Sequence, residues 1–236
     1  MFDLSKVQAR WPSEHPDRIQ LYSINSPNGI KVACMLEETG LLYEAHTVNL
    51  FKGEQHDPAF MSISPNSKVP ILIDPNGPVD APMPVPVRVM ESCAILIYLA
   101  EKSRRLMPQN QPAHTECLQW LFFQASHIGP MFGQFEHFHR RGDDNAKDLY
   151  ALERYEAESR RLMGILDNRL SIFDYMMGPH YSIADIATFP WVRSLGRLID
   201  DDGLRADFPD AMRWFDSCMA RPASEIALTV CADYER

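Results

Sequence analysis

Residues 19–50, "IQLYSINSPNGIKVACMLEETGLLYEAHTVNL", decide how this chain folds. "IQLYS" alternates as a short strand does, and "YEAHTVNL" alternates again after a stretch of helical period. The turn formers Ser26, Pro27, Asn28 and Gly29 lead into that helix from about Ile30, and Gly40 is placed to end it in a left-handed C-terminal position. Strand, helix and strand make a βαβ unit with parallel strands. Its right-handed crossover sets the helix N-terminus at the carboxyl edge of the sheet, where ligands commonly bind. Free backbone N–H groups and two short polar side chains, Ser26 and Asn28, would crowd that helix end, an arrangement suited to an anion.

Downstream, the polar loop "FKGEQHDPAF" (51–60) precedes "SPNSKVPILIDPNGP" (64–78), in which "ILID" reads as a buried strand and "DPNG" as a tight turn. Its hairpin partner is "VPVRVME" (85–91), with Val85, Val87 and Val89 on one face. Pro86 demotes it to an edge strand. "SCAILIYLAEK" (92–102) is the next helix, so residues 18–102 form an α/β domain of order β-α-β-loop-β-β-α. Residues 1–17, with Pro12 and Pro16 and no periodicity, read as an extension draped over the surface or frayed. Residues 103–112, "SRRLMPQNQP", read as a linker. From 113 to 236 long amphipathic runs replace strands, predicting an all-α helical bundle. Within it Ser182 and Asp185 make a capping box, with Tyr181 and Ile186 as a hydrophobic staple, whose role is helix-start stability.

The 236 residues are 45% hydrophobic, enough for two modest cores. With 23 Lys+Arg against 32 Asp+Glu the net charge is −9, which disfavours nucleic acid or an anionic bilayer as partner. No signal-peptide core or run of about 18 uncharged apolar residues is present, and the five cysteines, odd in number and without CxxC spacing, suit reduced thiols. These features predict a soluble, cytoplasmic protein. His137 and His139 are two apart and diverge on a helix, so no metal site is expected.

A βαβ–ββα half followed by a helical half, with "SPNG", "NSKVP", "MES" and "YSIADIA" in that order, resembles the cytosolic glutathione transferases over residues 19 to about 230. "SPNGIKV", "SPNSKVPILID", "ESCAILIYLAEK" and "ERYEAESRRL" are most similar to the bacterial Nu class. That resemblance implies a thioredoxin-like first domain, glutathione as co-substrate, and disulfide-bond reductase or peroxidase activity ahead of conjugation. It implies a homodimer, and a small disulfide, peroxide or electrophile as second substrate. Cys93 departs from the pattern, where such proteins usually carry Gly, and Ser26 stands where many carry Thr. A non-catalytic interaction module keeping the fold is the rival from another class.

The resemblance also distributes roles. Val69–Pro70 resembles the cis-proline turn of thioredoxin-like folds, making Val69 the candidate for pairing with the tripeptide backbone. Glu91 and Ser92, at a strand-to-helix junction, match the ammonium and carboxylate of the γ-glutamyl end. The loop offers Lys52, Gln55 and His56 to the glycine carboxylate, with Gln55 preferred by match. Arg154 resembles an arginine reaching the site from the helical domain, and reads equally as a surface arginine pairing with Glu158. Met131, Phe132 and Gln134, beside the Gly129–Pro130 break, are candidates to wall the second-substrate pocket.

The chemistry expected at Ser26–Gly29 is stabilisation of a bound thiolate. A free thiol has a pKa of about 8.5, and lowering it two units takes about 2.7 kcal/mol of preference for the anion. A helix N-terminus supplies up to ~1–2 kcal/mol and a hydrogen bond to a charged group about 1.5–3 more. The expected donors are the Ser26 hydroxyl, the Asn28 carboxamide and the N–H groups of Asn28 and Gly29, with Ser26 and Asn28 sharing the role. A cysteine is absent from this turn, so bound glutathione would supply the sulfur.

Overall fold

The computed structural model describes residues 4–80, 83–140, 149–199 and 201–234. Contacts divide the chain into two compact units, Met1–Arg105 together with Pro222–Arg236, and Leu106–Arg221.

In the first unit the elements run α1 (Leu4–Arg10), β1 (Ile19–Ser23), α2 (Pro27–Thr39), β2 (Tyr43–Thr47), two short 3-10 turns, α3 (Pro58–Ile63), β3 (Ile71–Asp74), β4 (Val87–Met90) and α4 (Ser92–Ser103). The sheet order is β2-β1-β3-β4. β1 and β2 are parallel from Ile19↔Tyr43 to Ser23↔Thr47, β3 is antiparallel to β1, and β4 antiparallel to β3. This is the expected thioredoxin-like order. β4 is the edge strand, but it begins at Val87. Pro86 therefore precedes the strand and Val85 is exposed.

Residues 4–17 are not a loose extension; residues 1–3 of the expected extension lie outside the described residues. α1 buries Val7, and Trp11 beyond it enters a cluster with Tyr22, Val48, Phe60, Ile63 and Ile71. Trp11 also donates its indole N–H to the Thr47 carbonyl at 3.0 Å. Seven residues burying one apolar side chain leave too little periodicity to read. The carboxylate of Glu44 then accepts from Ser13 and from the backbone N–H groups of Glu14 and His15.

α2 starts three residues earlier than its apolar pattern. Ser26 is its N-cap and Pro27 its first residue, a position where a missing N–H costs nothing; Gly40, at φ 70, ends it as expected. Gly29 through Leu36 are all buried, so this helix is enclosed on every side. One cover is α4. Another is α11 (Pro222–Ala227), which packs on α2, and the Asn25 carboxamide donates to the Leu228 carbonyl at 2.8 Å. Residues 222–234, expected in the helical domain, thus belong to the first unit. α4 is tied to the sheet through Asp74, which is fully buried and receives Lys102 at 2.7 Å and the Tyr98 hydroxyl at 2.6 Å.

The second unit contains α5 (Gln111–Phe123), a π turn (Gln124–Ile128), α6 (Gly129–Arg140), α7 (Leu149–Leu170), α8 (Ile183–Leu195), α9 (Asp201–Asp207) and α10 (Pro209–Met219). α5 begins inside the expected linker because Asn110 caps it, accepting from the Ala113 N–H at 3.2 Å. Gly129–Pro130 does not break the chain. The helix widens by one π turn, which accommodates a proline that could not donate to the preceding turn. The capping box forms: Ser182 Oγ accepts from the Ala184 N–H at 3.2 Å and Asp185 accepts from the Ser182 N–H at 2.9 Å. Asp185 is also the acceptor for the Trp214 indole N–H and the Met176 N–H, each at 2.8 Å, so the box anchors α8 to α10 and to the preceding loop. No described helix is long and apolar enough to cross a membrane.

Candidate functional site

Two helix starts meet in the first unit, because α2 packs against α4 and each begins where a strand ends. Between them and the turn before β3 lies a cavity of about 150 Å³, lined by Asn28 from α2, Ser64 to Ile71 in part, and Met90, Glu91 and Ser92. That volume suits an amino-acid-sized group, since pockets for drug-sized ligands run ~300–1,000 Å³. Four residues picked from the sequence, Asn28, Val69, Glu91 and Ser92, come together here, and the Val69–Pro70 peptide is cis. Glu91 has φ 71, a conformation rare for a residue with a side chain, and such backbone outliers concentrate at ligand clamps. Its side chain makes no cap for α4. Glu91 is exposed and Ser92 buried, so the first can meet a cation at the rim while the second offers a hydroxyl within.

At the tip of α2 one expected donor is already committed. The Gly29 N–H donates to Ser26 Oγ at 3.2 Å as the helix cap. The Gly29 N–H is thus spent on the cap, and the Ser26 hydroxyl and the Asn28 carboxamide stand at the helix tip as its polar side chains. Gly29 itself is required, because a Cβ there would lie 2.1 Å from the Ile24 carbonyl oxygen.

Beneath the cavity the structure holds a residue that the sequence reading passed over. Lys31 is 1% exposed, and its ammonium donates to Ser92 Oγ at 3.3 Å. Ser92 in turn donates to Asn28 Oδ1 at 3.3 Å. Burial pushes the Lys31 pKa down to about 8, with Cys93 and Glu91 opposing that shift. A lysine inside an otherwise uncharged, largely apolar stretch, "GIKVACML", was the one hint in the sequence. Lys68 is the second basic residue not picked, and it lines the cavity with Asn66.

Gln55 does not line this cavity. It sits in the 3-10 turn Glu54–His56, and its Oε1 is buried with no hydrogen-bond partner among the described residues, an acceptor awaiting a donor. Glu54 beside it accepts from the Asn49 N–H at 2.8 Å and pairs with Arg10 of α1, so the helical N-terminal segment braces this turn.

Arg154 belongs to the second unit, where it lines a cavity of about 620 Å³ with Met131, Tyr150, Tyr155, Glu158 and Arg161. The bidentate partner of Glu158 is Arg161, at 2.8 Å for both contacts; hydrogen bonds from Arg161 hold its carboxyl below the usual range, with Arg154 contributing through space. Of the three residues expected to wall a second pocket, Met131 lines this cavity. Phe132 is buried in the core at 1% exposure and Gln134 is exposed. The side chain of Phe132 serves packing. Among the described residues no group of three or more His, Cys, Asp or Glu side chains is arranged to hold a metal.

Comparison with known proteins gives a consistent picture. Residues 25–102 match the model of the glutathione S-transferase N-terminal domain, and residues 115–222 that of the C-terminal domain. The chain is similar to the disulfide-bond oxidoreductase YfcG of Escherichia coli, 40% identical over 89% of this chain and 94% of the relative. A glutathione transferase structure from Burkholderia graminis, with two glutathione molecules bound per subunit, superposes with a TM-score of 0.90 at 47% identity, covering 97% of this chain and 95% of the other. One from Pseudomonas putida, with one glutathione disulfide bound per subunit, gives 0.88 at 45% identity over 95% and 96%.

Proposed function

Since the chain belongs to the glutathione S-transferase family, we propose that it is a glutathione-dependent thiol-transfer enzyme that reduces disulfides or peroxides in preference to conjugating electrophiles. The observation that carries this reading is the cavity where Asn28, Val69, Glu91 and Ser92 converge between two helix starts. Its size suits the γ-glutamyl end of glutathione. The Glu91 carboxylate takes the ammonium, the Ser92 N–H at the α4 N-terminus takes the carboxylate, and the Val69 main chain pairs with the cysteinyl unit. The Gln55 carboxamide donates to the glycyl carboxylate. Arg154 is a further glutathione contact in this reading, and Met131 and Gln134 belong to the part that concerns the second substrate.

The sulfur lies at the tip of α2, where Ser26 and Asn28 donate to it and favour the thiolate. Neither side chain can accept a proton usefully at neutral pH, so their contribution is electrostatic. The thiolate attacks one sulfur of a disulfide, forming a glutathione mixed disulfide as the old S–S bond breaks. The released thiolate takes a proton from water. A second glutathione thiolate then attacks the mixed disulfide at its glutathionyl sulfur, giving glutathione disulfide and the second reduced thiol, so two electrons have moved. No cysteine of the chain is consumed. We read the enzyme as a homodimer, which light scattering of the eluted protein tests.

Retention on glutathione resin with turnover of a small model disulfide is the expected result. Retention without turnover would favour an interaction module, and preferential conjugation of a chloronitrobenzene would favour transferase activity. Ser26→Ala and Asn28→Ala should each raise the pKa of the bound thiol, read from ultraviolet thiolate absorbance. If neither variant shifts it, thiolate stabilisation at α2 is wrong.

A further inference from the structure

We propose that Lys31 is a positioning residue of the glutathione site: acting through Ser92, its buried ammonium fixes which end of the Asn28 carboxamide faces the sulfur. The inference rests on the glutathione reading above and deepens it.

An ammonium only donates. With Lys31 donating to Ser92 Oγ at 3.3 Å, the hydroxyl's own proton points onward, and the atom it meets must accept. That atom is Asn28 Oδ1, at 3.3 Å. The carboxamide is thereby oriented with its Nδ2 on the side away from Ser92, as a donor. With the ammonium on one of the two Oγ lone pairs the hydroxyl proton is biased toward Oδ1; without it the proton turns away more easily, Oγ accepts from Nδ2, and the flipped amide would present an oxygen to the thiolate. A flipped carboxamide repels the anion that the upright one stabilises. Lys31 and Asn28 are three apart on α2, so the two ends of this relay share one helix face, and Ser92 on α4 closes it.

The electrostatic setting is compatible with this role. Lys31 keeps its proton at neutral pH: burial lowers its pKa to about 8, and Cys93 and Glu91 at the start of α4 offset part of that shift. Lys31 never touches the substrate in this scheme. A side chain serving packing alone would be replaceable by methionine with no change in the sulfur's titration.

The test titrates bound glutathione in the wild type, Lys31→Met and Lys31→Gln, and measures disulfide reduction by each. Lys31→Met should raise the thiol pKa by about one unit, leaving roughly a third of the thiolate at pH 7 if the wild-type value lies about two units below that of a free thiol. It should lower kcat severalfold while KM for glutathione changes less than twofold. Lys31→Gln, which keeps a donor but can turn an acceptor toward Ser92, should shift the pKa in the same direction by less, and it carries the test if the methionine variant does not fold. An unchanged thiol pKa in a folded variant that binds glutathione overturns the proposal alone. Failure of the wild type to bind glutathione would overturn the underlying reading and this proposal together.

Discussion

A buried ammonium at position 31 weakens the fold that contains it. In the unfolded chain Lys31 titrates near 10.5, and in the folded protein near 8. Below pH 8 both states are charged and the burial penalty is present in full. Between pH 8 and 10.5 the unfolded chain binds a proton that the folded one has released, so stability rises with pH across that window. Lys31→Met should abolish the rise and leave the protein as stable as the wild type at pH 7 or more so, by up to about 3 kcal/mol. Denaturant melts at pH 7 and pH 9.5 measure both; a variant clearly weaker at pH 7 would show that the ammonium contributes net stability. Among single residues, legibility followed local chemistry. Asn28, Glu91 and Ser92 stand beside turn and cap signals that point to an exposed helix end. Lys31 carries no such signal, because its depth depends on elements that are distant in sequence. Gly29 was read as a turn former, whereas its role is the close approach of α2 to Ile24.

Two glycines in and after α2 separate steric need from conformational need at the scale of the element. Alanine at Gly29 would push a Cβ to 2.1 Å from the Ile24 carbonyl oxygen and 2.6 Å from Ser23 Oγ, so backbone must move. Alanine at Gly40 meets nothing within 4 Å and suffers only its φ of 70. Gly29→Ala should therefore cost ~2–3 kcal/mol or more and abolish retention on glutathione resin, because the helix tip shifts. Gly40→Ala should cost about 1 kcal/mol and leave retention intact. Thermal melts with the resin assay distinguish them, and equal effects would remove the argument. The βαβ–ββα order could be read because alternation, helical period and turn residues agree along those segments. α1 could not, since its single buried Val7 and the later Trp11 only acquire meaning beside Phe60 and Tyr22. The π turn at Gln124–Ile128 likewise replaced an expected break, because proline and glycine announce interruption without saying how a helix absorbs it.

For the molecule as a whole, the two-part organisation follows from a change in pattern near residue 105, but the return of the C-terminal segment does not. α11 buries only a few small side chains, Ala223, Ser224 and Ala227, and its target lies nearly two hundred residues earlier. Removing residues 222–234 should uncover α2, whose buried run includes Val32, Ala33, Cys34 and Met35. Such a variant should lose glutathione retention and aggregate on heating well below the full chain, as static light scattering during a melt would show. Undiminished retention would mean that the cover on α2 is dispensable.

That return also sets an order of events during synthesis. A ribosome delivers β1 and α2 early, yet the segment that closes over them emerges only after the whole intervening unit, a delay on the order of ten seconds at typical elongation speeds. For that interval the nascent sheet waits with one helix flank unclothed, exposed to chaperones and to wrong partners, while the later helices can already collapse. Birth order and completion order are inverted in this polypeptide.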